Sequence, residues 1–499
     1  MTANEYKIPA QGNGLFQNHC DFCVGTGRMG LALQKEYEDE LAFVQQTIGF
    51  SHIRGHGLFH DDMGIYQYWK SPDGTVLEGY NFTYLDRVMD SYLKLGIRPF
   101  LELGFMPEKM ARGEQTIFYW RGHTTPPASY EKWAELVQAT LRHLMERYGR
   151  EEVEAWPIEV WNEPNLPGFW ENADQQEYFR LYDVTARAVK EVSSAFRVGG
   201  PAVCGGDSCK PWIRAFLNHC RDEQVPVDFL TRHLYMGQTP ERKGRYLYHD
   251  MCTPAYTINE ARETRELVDS FPEYKGMEIH VTEFNTSYNP FCPTHDTVYN
   301  AALVAGLLSG LGDICASYSY WTFGDVFEEM GVPDRPFHGG FGLVAAGLIP
   351  KPTYWTYRFF KDMQGELLLR NEECVAVKSA ENEYRTVLWN LEAKEKRVSL
   401  LLPETEGEWS VVCQKVDEEH GNPLKLWHEM GEPASLTQEQ LALLRECAHP
   451  EITGSRKAAS EAGLRLDIIL PPCAVARLTV KKVKEETSPG YVYPGIGRE

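Results

Sequence analysis

A chain of 499 residues exceeds one average domain, and an apolar fraction of 43% is ordinary for a globular protein. Its 71 acidic against 50 basic residues leave a net charge of −21, which excludes the basic face of a nucleic-acid binder and a polybasic membrane anchor. The opening MTANEYKIPAQGNG lacks a basic stretch followed by an apolar one, no apolar run reaches membrane-spanning length, and the twelve cysteines follow no repeating pattern, so the expectation is a cytoplasmic protein with reduced thiols.

Residues 1–13 read as an arm that packs on a C-terminal domain. From 14 to 365, short apolar runs alternate with helical patterns. Strand-like runs at 22–27, 50–57, 98–105, 156–164, 197–205, 228–235, 278–286 and 318–325 flank helix-like segments such as 35–48, 84–95, 130–148 and 176–192. A last helix is predicted at 353–363. Strand–helix alternation implies a parallel sheet, and eight units imply closure into a (β/α)8 TIM barrel, which needs roughly 250 residues. Beyond about 365 the helices thin out. Runs at 373–379, 385–391, 397–402, 409–416, 464–470 and 474–480 predict a β-sandwich over 366–480. Ser435-Leu436-Thr437-Gln438 resembles a capping box and predicts a helical insertion near 435–447. The tail, 481–499, is charged and then rich in Gly and Pro, as an extended arm would be.

Barrel enzymes carry their chemistry at the C-terminal ends of the strands. Glu163, in Trp161-Asn162-Glu163-Pro164-Asn165, ends the fourth strand, where Pro164 has no N–H for the ladder. Glu283, in His280-Val281-Thr282-Glu283-Phe284-Asn285, ends the seventh. Two such carboxylates can face each other across the barrel mouth. Glycoside hydrolysis asks for that pair: one acid protonates the leaving oxygen, and the other carboxylate attacks the anomeric carbon. A gap of roughly 5 Å permits the covalent, retaining route. Glu159, four residues before Glu163, reads as a buried structural carboxylate deeper in the barrel.

Other signals are weaker. Gly25-Thr26-Gly27-Arg28-Met29-Gly30 fits the dinucleotide fingerprint, but the next strand ends in Arg54-Gly55-His56 rather than in an acid that would hold a ribose. Cys20-x-x-Cys23 lacks the second pair that a structural zinc site needs. Neither a metal nor a cofactor is required for the proposed chemistry.

The strand-end motifs resemble clan A glycoside hydrolases. Denser segments resemble the bacterial β-xylosidases of glycoside hydrolase family 39: FCVGTGRMGLALQKEY (22–37), IRGHGLFHDDMGIY (53–66), NFTYLDRVMDSYL (81–93), RPFLELGFMPEKMA (98–111), VGGPAVCGG (198–206) and SYWTFGDVFEEMGVP (319–333). That resemblance implies Glu163 as acid/base and Glu283 as nucleophile. It implies Asn162 on the sugar 2-OH, and His56, His233, Tyr235 and Trp321 around the first sugar. Glu328 and Glu329 would meet sugar hydroxyls, with Phe118 close by. It also implies a homo-oligomer, a tetramer in several relatives, acting on short oligosaccharides. The expected activity is a retaining exo-β-xylosidase. The alternatives are β-glucosidase, α-L-arabinosidase, α-L-iduronidase, or a non-catalytic sugar-binding barrel.

Overall fold

A computed structural model describes residues 4–484. Eight parallel strands close into a barrel: Cys23–Arg28, His52–His56, Arg98–Leu103, Ile158–Val160, Val198–Val203, Phe229–Tyr235, Glu278–Asn285 and Ser317–Tyr320. They pair in sequence order, and Tyr320 against Val24 closes the ring. Each overlaps one of the eight predicted runs, and only Arg28 and Ser317 fall one residue outside them. Several of the helices between them start at a side-chain cap. Ser129 accepts from Lys132 N ahead of Tyr130–Tyr148, Asp174 accepts from Gln176 N and Glu177 N ahead of Gln175–Val192, and Thr297 accepts from Asn300 N ahead of Val298–Leu308. Such side chains satisfy backbone donors that the first turn leaves unpaired. All twelve cysteines are free.

The C-terminal region is a sandwich of two sheets. Six strands, Glu366–Arg370, Cys374–Ala380, Glu383–Trp389, Val475–Lys482, Glu408–Val416 and Glu451–Ala458, form the larger one in that spatial order. Lys396–Leu402 and Leu464–Leu470 form most of the smaller one, and Asn4–Lys7 joins its edge in parallel. The larger sheet is apolar on both faces. Cys374, Ala376, Leu388 and Leu478 turn into the sandwich, while Val375, Val377, Val387 and Trp389 turn onto the barrel. With both faces buried, the period-2 alternation of a half-buried strand gives way to a continuous apolar run. The N-terminal strand is pinned by Glu373, which accepts from Asn4 Nδ2 at 2.9 Å and from Tyr6 Oη. Of the predicted C-terminal tail, Lys481 and Lys482 end a sandwich strand, and residues 485–499 lie outside the described residues.

The helical insertion is present, but its cap is not the predicted one. Thr437, not Ser435, caps Gln438–Cys447, and its capping box closes on Gln440 rather than Gln438. Hydrophobic contact decides between the two. With Thr437 as cap, Leu436 and Leu441 fall on the two positions of a hydrophobic staple, and both pack on a cluster with Trp427 and Leu444. A cap at Ser435 would put Ala434 and Glu439 there instead. A further helix, Pro423–Glu429, precedes it.

Two buried histidines each contribute stability that is lost in acid. Burial lowers His52 to about 4 and His295 to about 3. An unfolded chain binds these protons near pH 6.5. Their contribution is therefore full above that pH and is lost as pH falls towards the folded values. By pH 5 each should remove about 2 kcal/mol. In denaturant unfolding at pH 7 and pH 5, wild type should therefore lose about 2 kcal/mol more than His52→Phe between the two. An equal slope in wild type and variant would overturn this assignment.

Candidate active site

The two sequence-selected glutamates meet at the C-terminal mouth of the barrel. Glu163 lies just past the fourth strand in left-handed backbone (φ 45°), its N–H donating to Ala202 O at 3.0 Å. Holding a non-glycine residue there costs on the order of 1–3 kcal/mol, strain of the kind that concentrates at functional sites. Glu283 stands on the seventh strand, and His233 of the sixth is its register partner. One side-chain atom from each of Glu163, His233 and Glu283 lies within 4.8 Å of the others. All three residues are buried.

Their environments differ. Glu163 Oε1 is 2.7 Å from His233 Nδ1. Burial, followed by the charges of Glu283 and Glu102, holds the Glu163 carboxyl well above the usual range despite the opposing pull of Arg54. Burial also keeps His233 neutral, well below the usual imidazole range, with Arg54 adding to the effect. Glu283 accepts from Arg54 Nη1 on one oxygen and from Tyr235 Oη at 2.7 Å on the other. The site therefore holds one carboxyl that favours its proton beside one that carries two donors to an anion.

The other predicted residues mostly gather here. Asn162 Oδ1 accepts from Arg54 Nη2 at 2.9 Å. His56 has Nδ1 2.7 Å from Glu102 Oε2 and Nε2 3.5 Å from Glu283 Oε1. The His56 ring lies 4.8 Å from Trp321 and 5.9 Å from Phe118. Glu329 has an oxygen 3.9 Å from His56 Nε2. Burial and the negative charges of Glu283, Glu163 and Glu102 hold its carboxyl well above the usual range. Glu328 stands apart. It accepts from Arg28 Nη2 at 2.5 Å and from Gln34 at 3.4 Å, and Arg28 also pairs with Asp62.

Arg54 was not among the predicted site residues, yet it is central. Fully buried on the second strand, it reaches Glu159 Oε2 (2.7 Å), Glu102 Oε2 (2.9 Å), Glu283 and Asn162, and its guanidinium lies 5.8 Å from the Trp321 ring centre. Burial opposes its charge, but Glu159, Glu102 and Glu283 outweigh that and raise it further. Glu159 is buried at this ion cluster, where Thr282 Oγ1 donates to it at 2.8 Å.

The rejected fingerprint also finds its use here. A Cβ on Gly25 would stand 2.4 Å from the Trp321 ring, one on Gly27 3.0 Å from Phe327, and one on Gly30 2.3 Å from Asp62 Oδ2. Its glycines admit the walls of the mouth instead of a pyrophosphate.

Glu163, His233 and Glu283 are the group of metal-type donors that lies together among the described residues. The Arg54 guanidinium already occupies the Glu283 carboxylate, and a fixed cation there opposes a second one. Among the described residues no helix is long and apolar enough to cross a membrane.

Known proteins share this whole architecture. The profile of Glycosyl hydrolases family 39 matches residues 7–464. A beta-xylosidase of Geobacillus stearothermophilus is 46% identical over 490 residues, 97% of this chain and 96% of that one. A beta-xylosidase of Caldicellulosiruptor saccharolyticus is 34% identical over 473 residues, 92% and 94% of the two chains. The crystal structure of a monomeric beta-xylosidase from Caulobacter crescentus superposes with a TM-score of 0.87 at 30% identity, covering 97% of this chain and all 100% of that one. On profile, identity and fold together, the chain belongs to glycoside hydrolase family 39.

Proposed function

We propose that the chain is a retaining exo-β-xylosidase that removes xylose from the non-reducing ends of short xylo-oligosaccharides. The observation that carries this reading is the pair of carboxylates, Glu163 and Glu283, with oxygens within 4.8 Å. That spacing suits direct attack on the anomeric carbon, whereas an inverting enzyme leaves room for a water, with its carboxyls roughly 6.5–9.5 Å apart. Glu163, kept protonated, gives its proton to the leaving oxygen. Glu283, oriented by the donors of Arg54 and Tyr235, attacks. Esterification then removes its charge, the pull on the Glu163 proton weakens, and Glu163 takes a proton from water for the second displacement.

Loop contacts around the mouth favour a pit over an open cleft. Tyr119 N donates to Glu329 O at 2.7 Å, Arg245 pairs with Asp334 at 2.9 Å, and Leu247 N donates to Phe291 O at 3.0 Å. A pit takes chain ends. The sugar assignment leans on the named relatives and on charge. A uronic acid would want a free cation, and Arg28 and Arg54 are each already paired with carboxylates. Short oligosaccharides can be imported, so the setting we infer is cytoplasmic breakdown of xylan fragments.

A panel of aryl glycosides followed by proton NMR tests the reading. The β-xyloside should be hydrolysed fastest, with β-xylose appearing before it mutarotates. Release of the α-anomer first would sink the retaining mechanism, and equal rates on glucoside, arabinoside and xyloside would sink the sugar assignment.

A further inference from the structure

A second group of buried charges lies outside the residues assigned above. Lys351, just ahead of the last barrel helix Pro352–Lys361, is fully buried. Its ammonium stands 2.6 Å from Asp296 Oδ1 and 2.6 Å from Asp325 Oδ2, and it donates to Gly340 O at 2.9 Å. Asp296 belongs to the connection after the seventh strand and Asp325 to the one after the eighth. Burial opposes the lysine charge, but the two aspartates outweigh it and hold the group above its ordinary range. Buried ion clusters are weak sources of stability, because desolvation offsets much of the attraction. Stability alone is a poor reason for this one.

The same three side chains grip one short backbone segment. Gly339 N donates to Asp296 Oδ2 and Gly342 N to Asp325 Oδ1, both at 2.7 Å. These positions leave no room for a side chain. A Cβ on Gly340 would stand 2.4 Å from Asp325 Oδ1, and one on Gly342 2.6 Å from it. Gly339 has φ 81°, and its Cβ would meet the Cys292 backbone at 2.7 Å. The residue that the glycines present is Phe341. Its ring meets Phe327 edge-on at 5.2 Å, and Phe327 meets Trp321 edge-on at 6.0 Å. The three rings form a buried cluster of their own. Phe327 leads directly into Glu328 and Glu329.

We propose that Lys351 is a positioning residue for glycoside hydrolysis: by clamping Asp296 to Asp325 it fixes residues 339–342, and through Phe341 and Phe327 it sets Trp321 and Glu329 against the bound sugar. This rests on the glycosidase reading above. Lys351 itself touches no substrate. Close-packed rings transmit a displacement rather than absorb it, and a misplacement of about 1 Å remote from the chemistry can cost on the order of 10²-fold in rate.

Lys351→Met and Phe341→Leu test this with two readouts. Stoichiometric labelling by an activated 2-deoxy-2-fluoro-β-xyloside counts competent sites and gives a rate for each. Crystal structures of the variants give the positions of Trp321 and Glu329 without needing activity. The expected result is a full complement of labelled sites, a per-site rate lower by on the order of 10²-fold, and displaced Trp321 and Glu329. A merely structural role would lower melting temperature and site count while the per-site rate stayed at the wild-type value; that outcome, or unshifted Trp321 and Glu329, overturns the proposal. If Lys351→Met does not fold, Phe341→Leu, which keeps all three charges, decides by the same criteria. A wild type inactive on every glycoside would sink the functional reading alone, and the crystal structures would still decide the positioning role.

Discussion

Glu163→Ala and Glu283→Ala should both lose turnover, and azide should restore each with a different anomer. Loss of the nucleophile should cost on the order of 10⁴-fold or more with any leaving group. Loss of the acid should cost about 10²–10⁴-fold on oligosaccharides, whose leaving oxygen needs a proton. With an activated aryl xyloside, Glu163→Ala still forms the glycosyl-enzyme, and the intermediate accumulates because no base activates water. Azide needs no base. It attacks the α-linked intermediate from the β face and yields β-xylosyl azide. In Glu283→Ala azide takes the place of the missing carboxylate on the α face and yields the α-azide. NMR of the product therefore tells which carboxylate is missing. Exchange of the two anomers would reverse the assigned roles, and full activity in either variant would end that residue's part in the reaction.

The same pair predicts a titration. Burial raises Glu163 most, and the Glu283 charge comes next. Glu283→Gln removes the second cause and leaves the first. The Glu163 carboxyl should then titrate lower than in wild type but still above an exposed glutamate, as carbon-13 NMR of labelled glutamate would show.

The strands were legible because each barrel strand is a short run closed by turn residues, and eight of them alternate with long amphipathic helices. The glutamate pair was legible from its ordinal strands. Arg54 was not, because a lone arginine in Ile53-Arg54-Gly55-His56 looks like one exposed position of an ordinary strand. The usable signal was periodicity. His52, Arg54 and His56 share one face, and Phe100-Leu101-Glu102-Leu103 and Ile158-Glu159-Val160 each place a single acid in an apolar strand. In a barrel those faces point inward, so isolated charges on neighbouring strands must meet. Lys351 carried no pattern at all, since its partners lie 55 and 26 positions away in the connections after the seventh and eighth strands. The exposed edge strand Glu451–Ala458 escaped detection for the opposite reason: its residues are largely polar, and register with Glu408–Val416 alone defines it. The cap at Thr437 was missed because two competent caps lie two residues apart, and only packing of Leu436 and Leu441 separates them.

Arg54→Met should be the most destabilising of the substitutions considered, by about 3–5 kcal/mol at neutral pH, because it leaves buried carboxylates without their cation. Methionine fills much of the arginine stem, so little of the loss comes from a cavity. The sign of its pH dependence separates charge from packing. Arg54 lowers the carboxyls of Glu159 and Glu163, both of which burial already raises. Without it they rise further in the folded state, while the unfolded chain titrates as before. A folded value above the unfolded one gives stability that is full in acid and lost as pH rises through the folded value. The gap between variant and wild type should therefore widen from pH 5 to pH 8, measured by denaturant unfolding at both. A gap that stays constant would mean that the guanidinium acts through shape alone. Activity should fall with it, since Glu283 loses one of its donors and Asn162 loses the hydrogen bond that holds its amide. Arg54→Lys should recover part of the stability but less of the activity: an ammonium supplies the charge, not the planar fork that reaches Glu159, Glu283 and Asn162 together.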